Sequence, residues 1–303
     1  MYTTSEHHGE APDPAQIVDV DELVWHDPAS TTLDIARTSV ARLTISGIHA
    51  PLTLRMPTDL KQISLAGELG SVLVDGAPRS VDLVQLWGDV SAGLPEWCLG
   101  AEHLEISDTA SLDLMPLTRA VRLRELTVRN VPGRISGCSA VAAPPKLGRI
   151  NFMCCYDIET TTLPAHHQIP NLTWMSFDGV SAADARVLRS RVEGFWNGHV
   201  RHARSPRWLA EHIDDPFRTW SDEDPELGCR ATASWNRTRS RLAVATSPQV
   251  KEAVLRDLIR ALDGLSREYL FDTLRREQAG EAVRTLVEAN LGETHPLSEW
   301  TPE

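Results

Sequence analysis

The sequence predicts an α/β protein in which short parallel β-strands repeat along a solenoid and a small α-helical domain follows. Two observations carry this prediction. A six-residue apolar pattern recurs at intervals of 20 to 25 residues in the first part of the chain. After Phe177 the apolar spacing changes to that of amphipathic helices. A chain of 303 residues is long enough for two such domains.

The repeated pattern is an apolar residue, two variable ones, an apolar residue, one variable one and an apolar residue. It begins at Val40, Leu60, Val81, Ala101, Leu123, Leu147 and Leu172. Alternation in the second half of each unit predicts a short strand with one apolar face. A single unit cannot bury that face, but stacked neighbours can. We therefore expect Leu43, Ile63, Leu104 and Leu126 to share one interior, with residues such as Leu52 filling it from the returning segments.

This pattern resembles the leucine-rich-repeat family, whose motif reads L-x-x-L-x-L-x-x-N/C. The resemblance covers about residues 36–181. The chain departs from the motif at its last position, where only Cys155 conforms, so we expect irregular loops. The resemblance implies a curved solenoid whose parallel sheet lies on the concave face and binds proteins.

The predicted domains are an N-terminal leader and cap over residues 1–35, the repeats over 36–181 and an α-helical domain over 182–303. Ile17 to Trp25 alternates like an edge strand that closes the open end of the repeats. The polar first dozen residues are expected to lack fixed structure.

The helical domain is predicted from its N-caps. Ser181 opens a helix with Phe195 and Trp196 on its apolar face. Three later caps each precede a proline at the first helical position: Ser205-Pro206, Asp224-Pro225 and Ser247-Pro248. The last helix is expected to end near Gly292. Four or five helices make a small bundle.

The formal charge of −12 is concentrated in the front of the chain. Residues 1–180 hold 22 acidic and 12 basic residues, a balance of −10. Such a segment repels nucleic acid and attracts a basic protein, although acidity also serves solubility alone. Of the 30 basic residues 27 are arginine, a usage associated with GC-rich bacterial genomes.

The expected location is the cytoplasm. The first 16 residues lack the basic start and apolar run of a signal peptide, and no stretch approaches the ~20 apolar residues that span a bilayer. Five cysteines without a CxxC pair indicate neither a disulfide framework nor a zinc site, which favours a reducing compartment.

Enzyme motifs are absent, so no catalytic residue, metal site or cofactor is predicted. His199 and His202 could share a helix face and hold a metal, but a surface role at the helix end is the favoured interpretation. The basic stretch from Arg119 to Arg149 is either an anion site or a mixed solvated surface.

The predicted binding site consists of strand side chains that point away from the core onto the concave face. It comprises Gln85, Trp87, His103, Glu105, Glu125, Arg129, Arg149, Asn151, Met153, Trp174 and Asp178. Aromatic residues, Met and Arg are enriched in protein interfaces. The alternative is that the C-terminal domain folds over this face and buries the tryptophans.

The leading functional prediction is a non-enzymatic bacterial adaptor or regulator that binds a partner protein. A sharper variant is an immunity-type protein that neutralises a basic toxin. A rival is an enzyme whose site lies in the helical domain around His199, His202, His212 and Asp214–Asp215. A third hypothesis is a structural module within a larger assembly.

Overall fold

A computed structural model describes residues 3–76, 81–292 and 295–302, with backbone alone at positions 222–223 and 273–274. The chain divides into two compact units, Met1–Pro206 and Arg207–Glu303. The first contains a mostly parallel β-sheet and the second contains α-helices. The predicted α/β class, a parallel sheet followed by helices, is confirmed.

Most strands of the first unit are short, but the eleventh has 12 residues and the twelfth has 10. The strands are β1 (Thr4–His8), β2 (Glu22–His26), β3 (Thr32–Asp34), β4 (Arg42–Ile48), β5 (Leu52–Arg55), β6 (Gln62–Gly67), β7 (Val72–Asp75), β8 (Leu83–Trp87), β9 (His103–Ser107), β10 (Leu112–Asp113), β11 (Glu125–Ser136), β12 (Arg149–Ile158), β13 (Trp174–Asp178) and β14 (Asn197–Arg201). The main sheet has the order β1-β2-β4-β6-β8-β9-β11-β12-β13-β14, with β10 beside β11. A second sheet has the order β3-β5-β7.

All seven predicted strands are present and pair in parallel in the predicted register. Leu43 lies opposite Ile63, and Leu104 lies opposite Leu126. These four side chains are at most 1% exposed and belong to one core. The apolar positions therefore face a shared interior, as the spacing predicts.

The returning segments close that interior from a second side. Leu33, Leu52 and Leu54 on β3 and β5 are buried in the same core as the main sheet. Val72 on β7 joins them. The main and the second sheet thus share one apolar interior.

The N-terminal segment is more ordered than its composition predicts. Thr4–His8 forms β1, which pairs with β2, so the expectation of a structureless leader is wrong for these residues. The predicted strand from Ile17 to Trp25 is shorter, because only Glu22–His26 extends, and it lies between β1 and β4. Strand β1 is therefore at the edge of the sheet. Its backbone forms hydrogen bonds with β2 on one side, although its side chains are polar.

The first unit extends beyond the predicted limit at residue 181. Helix α1 (Ala182–Val192) has Ser181 as its N-cap, which accepts a hydrogen bond from the Asp184 backbone N–H at 3.1 Å. Strand β14 then pairs with β13 and adds one more strand to the main sheet. Phe195 is buried as expected, whereas Trp196 is 88% exposed because the helix ends before it.

From Pro206 onward the described chain is helical. The helices are α2 (Pro206–His212), α3 (Trp220–Glu223), α4 (Pro225–Val244), α5 (Pro248–Tyr269) and α6 (Thr273–Leu291). The predicted caps are confirmed for Asp224 and Ser247, whose side chains accept from backbone N–H groups of the first turn. A separate core around Phe217, Trp220 and Leu258 joins α3, α4, α5 and α6. Each described helix is too short or too polar to cross a lipid bilayer.

Candidate functional site

The outward face of the main sheet carries three rows of side chains, at the first, third and fifth positions of each five-residue strand register. The second and fourth positions are buried in the repeats. We call these three rows the outward face. All eleven predicted site residues lie on it: Gln85, Trp87, His103, Glu105, Glu125, Arg129, Arg149, Asn151, Met153, Trp174 and Asp178. Their role in binding stays a prediction.

Polar side chains of the middle row bond from strand to strand. Ser64 Oγ donates to Gln85 Oε1 at 2.7 Å, and Gln85 Nε2 donates to Glu105 Oε2 at 3.0 Å. Arg129 Nε pairs with the other oxygen of Glu105 at 2.7 Å. Because each group is already bonded to its neighbours, their positions are set before any ligand arrives.

Asn151 organises the other part of the face. Its Oδ1 accepts hydrogen bonds from Trp174 Nε1 at 2.8 Å and from Ser176 Oγ at 2.7 Å. The Arg149 guanidinium lies 4.9 Å from the Trp174 ring centroid, and His199 meets that ring edge-on at 5.6 Å. Trp174 is therefore half-buried and held on three sides.

Trp87 differs from Trp174 in its environment. It is 40% exposed at the end of β8, beside Ser107 in the strand register. Burial of a large apolar ring that is exposed to water is favourable, because it removes apolar surface from the solvent. Trp87 thus presents exposed apolar area on the outward face.

The charged residues of the site nearly balance. Glu105, Glu125 and Asp178 carry three negative charges and Arg129 and Arg149 two positive ones, a formal charge of −1. Glu125 lies 3.6 Å from Arg149 and 4.0 Å from His103. Exposed pairs of this kind contribute little to stability. Because positive and negative side chains lie beside one another here, the charge of these residues alone does not select a basic partner.

The basic stretch from Arg119 to Arg149 is largely compensated by carboxylates of the preceding repeat. Arg122 and Arg124 pair with Glu102 at 2.7 and 3.0 Å, and Arg119 pairs with Glu96 at 2.8 Å. This pairing supports the mixed solvated surface over the anion site.

Strand β14 brings residues to the face that the repeat pattern missed. His202 Nδ1 lies 2.7 Å from Asp178 Oδ1, and His199 contacts Trp174. His199 lies on β14 and His202 follows it, so the prediction that both lie near the end of a helix is wrong. The residues Phe195-x-x-Gly198-x-Val200 keep the repeat spacing with glycine at the middle apolar position, a signal that could have revealed the strand.

His199 is expected to stay neutral to lower pH than a free histidine. Desolvation, and then the charge of Arg201, lower the pKa of His199, while Asp178 opposes them. An NMR titration should give a midpoint below about 6.5, and Arg201→Gln should raise it while the control Arg186→Gln leaves it unchanged. Since the unfolded chain then binds more protons, the free energy of unfolding should fall as pH drops from about 6.5 toward the lowered pKa. A midpoint at or above 6.5 would contradict this.

Two residues of the rival enzyme hypothesis, His212 and Asp215, have contacts within the unit Arg207–Glu303. Asp215 is 2% exposed and accepts hydrogen bonds from the Phe217 N–H and from Thr232 Oγ1. The His212 ring stacks on Trp208 at 4.7 Å. The enzyme hypothesis for these residues stays a prediction.

Two buried cysteines are unsuited to nucleophilic chemistry. Burial raises the pKa of the Cys98 and Cys138 thiols to about 12. The thiolate is the reactive form, so neither side chain is a nucleophile near neutral pH.

No model of a known protein family matches this chain, and comparison with curated proteins gives no significant match. The functional conclusion therefore rests on the geometry of the outward face.

Proposed function

We propose that the unit Met1–Pro206 is a leucine-rich-repeat solenoid that binds a partner protein on the outward face, which would be its concave side. The protein acts as a non-enzymatic adaptor or regulator. The observation that carries the proposal is the in-line register of the main sheet, which aligns eleven predicted contact residues on one surface.

The solenoid interpretation has support from side chains at the last position of the repeat motif. Cys155, at the Asn/Cys position of the motif, is buried and its thiol lies 3.7 Å from the Val128 carbonyl of the neighbouring strand. Thr109, at the same position two coils earlier, accepts the Val90 N–H at 3.0 Å. A buried Asn bonds backbone groups in the family motif, and Cys155 and Thr109 likewise contact backbone groups of the adjacent repeat.

Protein binding is favoured by the chemistry of the face. Exposed Trp87 supplies apolar area, and Met153 and Arg149 belong to residue types enriched in interfaces. The fixed ladder through Gln85 and Glu105 lowers the conformational entropy lost on association. A partner would thus meet an apolar anchor surrounded by hydrogen-bonding groups already in place.

The test is affinity capture from the native cytosol with the full chain, followed by titration of the purified partner. Trp87→Ala should weaken binding by about 30-fold or more, the loss expected of an interface hot spot of about 2 kcal/mol. Trp196→Ala is the matched control, because that tryptophan is 88% exposed and lies outside the rows. It should bind like the wild type.

Stability separates an interface role from a core role. Trp87→Ala should lower the free energy of unfolding by only about 1–2 kcal/mol, leaving the chain folded during the assay. Trp174 is a poorer test residue, because its indole N–H is bonded to Asn151. Equal capture by the wild type, Trp87→Ala and Trp196→Ala would overturn the proposal.

The immunity-type alternative is favoured by the balance of −10 over residues 1–180. It requires a basic partner whose association slows steeply as salt rises. An acidic or neutral partner with salt-independent association would remove this alternative and leave the adaptor proposal intact.

A further inference from the structure

The first two strands bring three metal-binding side chains together on the outward face. Glu6 and His8 lie on β1, and His26 lies opposite His8 on β2. One ligand atom from each of the three lies within 4.8 Å of the others, the one such grouping of His, Cys, Asp and Glu in the part of the chain that the structure describes. The sequence-based expectation of no metal site did not consider this trio, because it treated His8 as part of a structureless leader.

The two distances from the Glu6 carboxylate are close to those within a metal coordination shell. Glu6 Oε1 lies 3.4 Å from His26 Nε2 and 3.6 Å from His8 Nε2. Tetrahedral zinc with bonds of 2.0–2.1 Å sets its ligand atoms roughly 3.3–3.4 Å apart. Both distances from Glu6 are therefore within a small side-chain rotation of that geometry.

The two imidazoles already share an orientation. Their rings stack with centroids 4.8 Å apart and planes inclined by 27°. On the far side of the His26 ring, Nδ1 lies 2.6 Å from Ser46 Oγ on β4. A histidine that binds a metal through one nitrogen commonly donates its other N–H to such a partner. With Nδ1 protonated, the Nε2 lone pair of His26 is free to face Glu6.

We propose that Glu6, His8 and His26 bind one divalent transition-metal ion, with zinc as the ion that best suits two imidazoles and a carboxylate. Ser46 acts as a positioning residue. The side chains of His8 and Glu6 are 69% and 63% exposed, so the fourth position of the metal opens to solvent and takes water or a donor atom from outside. This site is independent of the proposed function.

The test is a competition titration of the full chain with Zn²⁺ against a chromophoric chelator. The wild type should bind one zinc ion per chain at this site. His26→Ala and Glu6→Gln should each weaken that binding by at least tenfold. His167→Ala removes an exposed histidine outside the trio and should leave the affinity unchanged, and Cys229→Ser checks the exposed thiol.

Ser46→Ala gives a readout of positioning, because loss of such an outer partner typically weakens metal affinity by 10–100-fold. Circular dichroism of each variant tests whether it folds. If His26→Ala unfolds β2, Glu6→Gln, which keeps the side-chain volume, provides the test of metal binding. The proposal is overturned if the wild type binds zinc no more tightly than Glu6→Gln, or if Cys229→Ser alone abolishes binding.

Discussion

Phe177→Ala is expected to lower the free energy of unfolding by about 3–5 kcal/mol. The Phe177 side chain is fully buried on β13 and stacks on Phe152 of β12, with ring centroids 5.2 Å apart and planes at 2°. Removal of the ring loses its transfer free energy and leaves a cavity that the neighbouring strands cannot close. Urea denaturation followed by circular dichroism measures the change.

Phe177→Leu is the matched control for this prediction. It keeps most of the apolar volume and should cost less than half as much as the alanine substitution. The double variant with Phe152→Ala should be non-additive, because the two rings are in direct contact. A loss below about 1 kcal/mol for Phe177→Ala would show that the two rings are not close-packed in the folded chain.

Gly88→Ala is expected to cost more than about 3 kcal/mol, since two unfavourable effects coincide. Gly88 has φ +144°, a conformation that residues with a Cβ rarely adopt. A Cβ at that position would lie 2.1 Å from the Gly67 carbonyl oxygen of the neighbouring strand. Backbone of adjacent repeats would have to separate to accept it.

Gly93→Ala separates the two effects. Gly93 has a similar φ of +132°, but a Cβ there meets nothing within 4 Å. Its substitution should cost only the conformational strain, about 1–3 kcal/mol. Comparison of the urea denaturation midpoints of Gly88→Ala and Gly93→Ala separates the clash from the conformational strain. Equal losses of stability would show that the backbones of Gly67 and Gly88 do not approach closely enough to clash.

The regular repeats were the part of the fold most open to prediction. Leu43, Ile63, Leu104 and Leu126 occupy equivalent positions, so a constant spacing predicts both their strands and their register. Where the spacing loses an apolar residue the prediction failed. Strand β1 has Ser5 in place of the first inward apolar residue, and no local pattern distinguishes it from a loop.

The outward orientation of the eleven predicted positions follows from the strand pattern, whereas their environments do not. Residues on the first, third and fifth positions face outward because side chains alternate along a strand. That rule does not say that Trp174 would be held by Asn151, Arg149 and His199. It also does not say that Trp87 would remain 40% exposed.

The sequence by itself determined the parallel strands, their apolar side and the helix starts at Asp224 and Ser247. Each of these depends on residues close together in the chain, whose spacing decides the burial of alternate side chains or the capping of free N–H groups. Only the tertiary structure decided the addition of β1 and β14 to the sheet, and the meeting of Glu6, His8 and His26. Those contacts join different strands of the sheet, and backbone pairing forms them even where an apolar residue of the repeat is missing, as at Ser5 in β1 and Gly198 in β14.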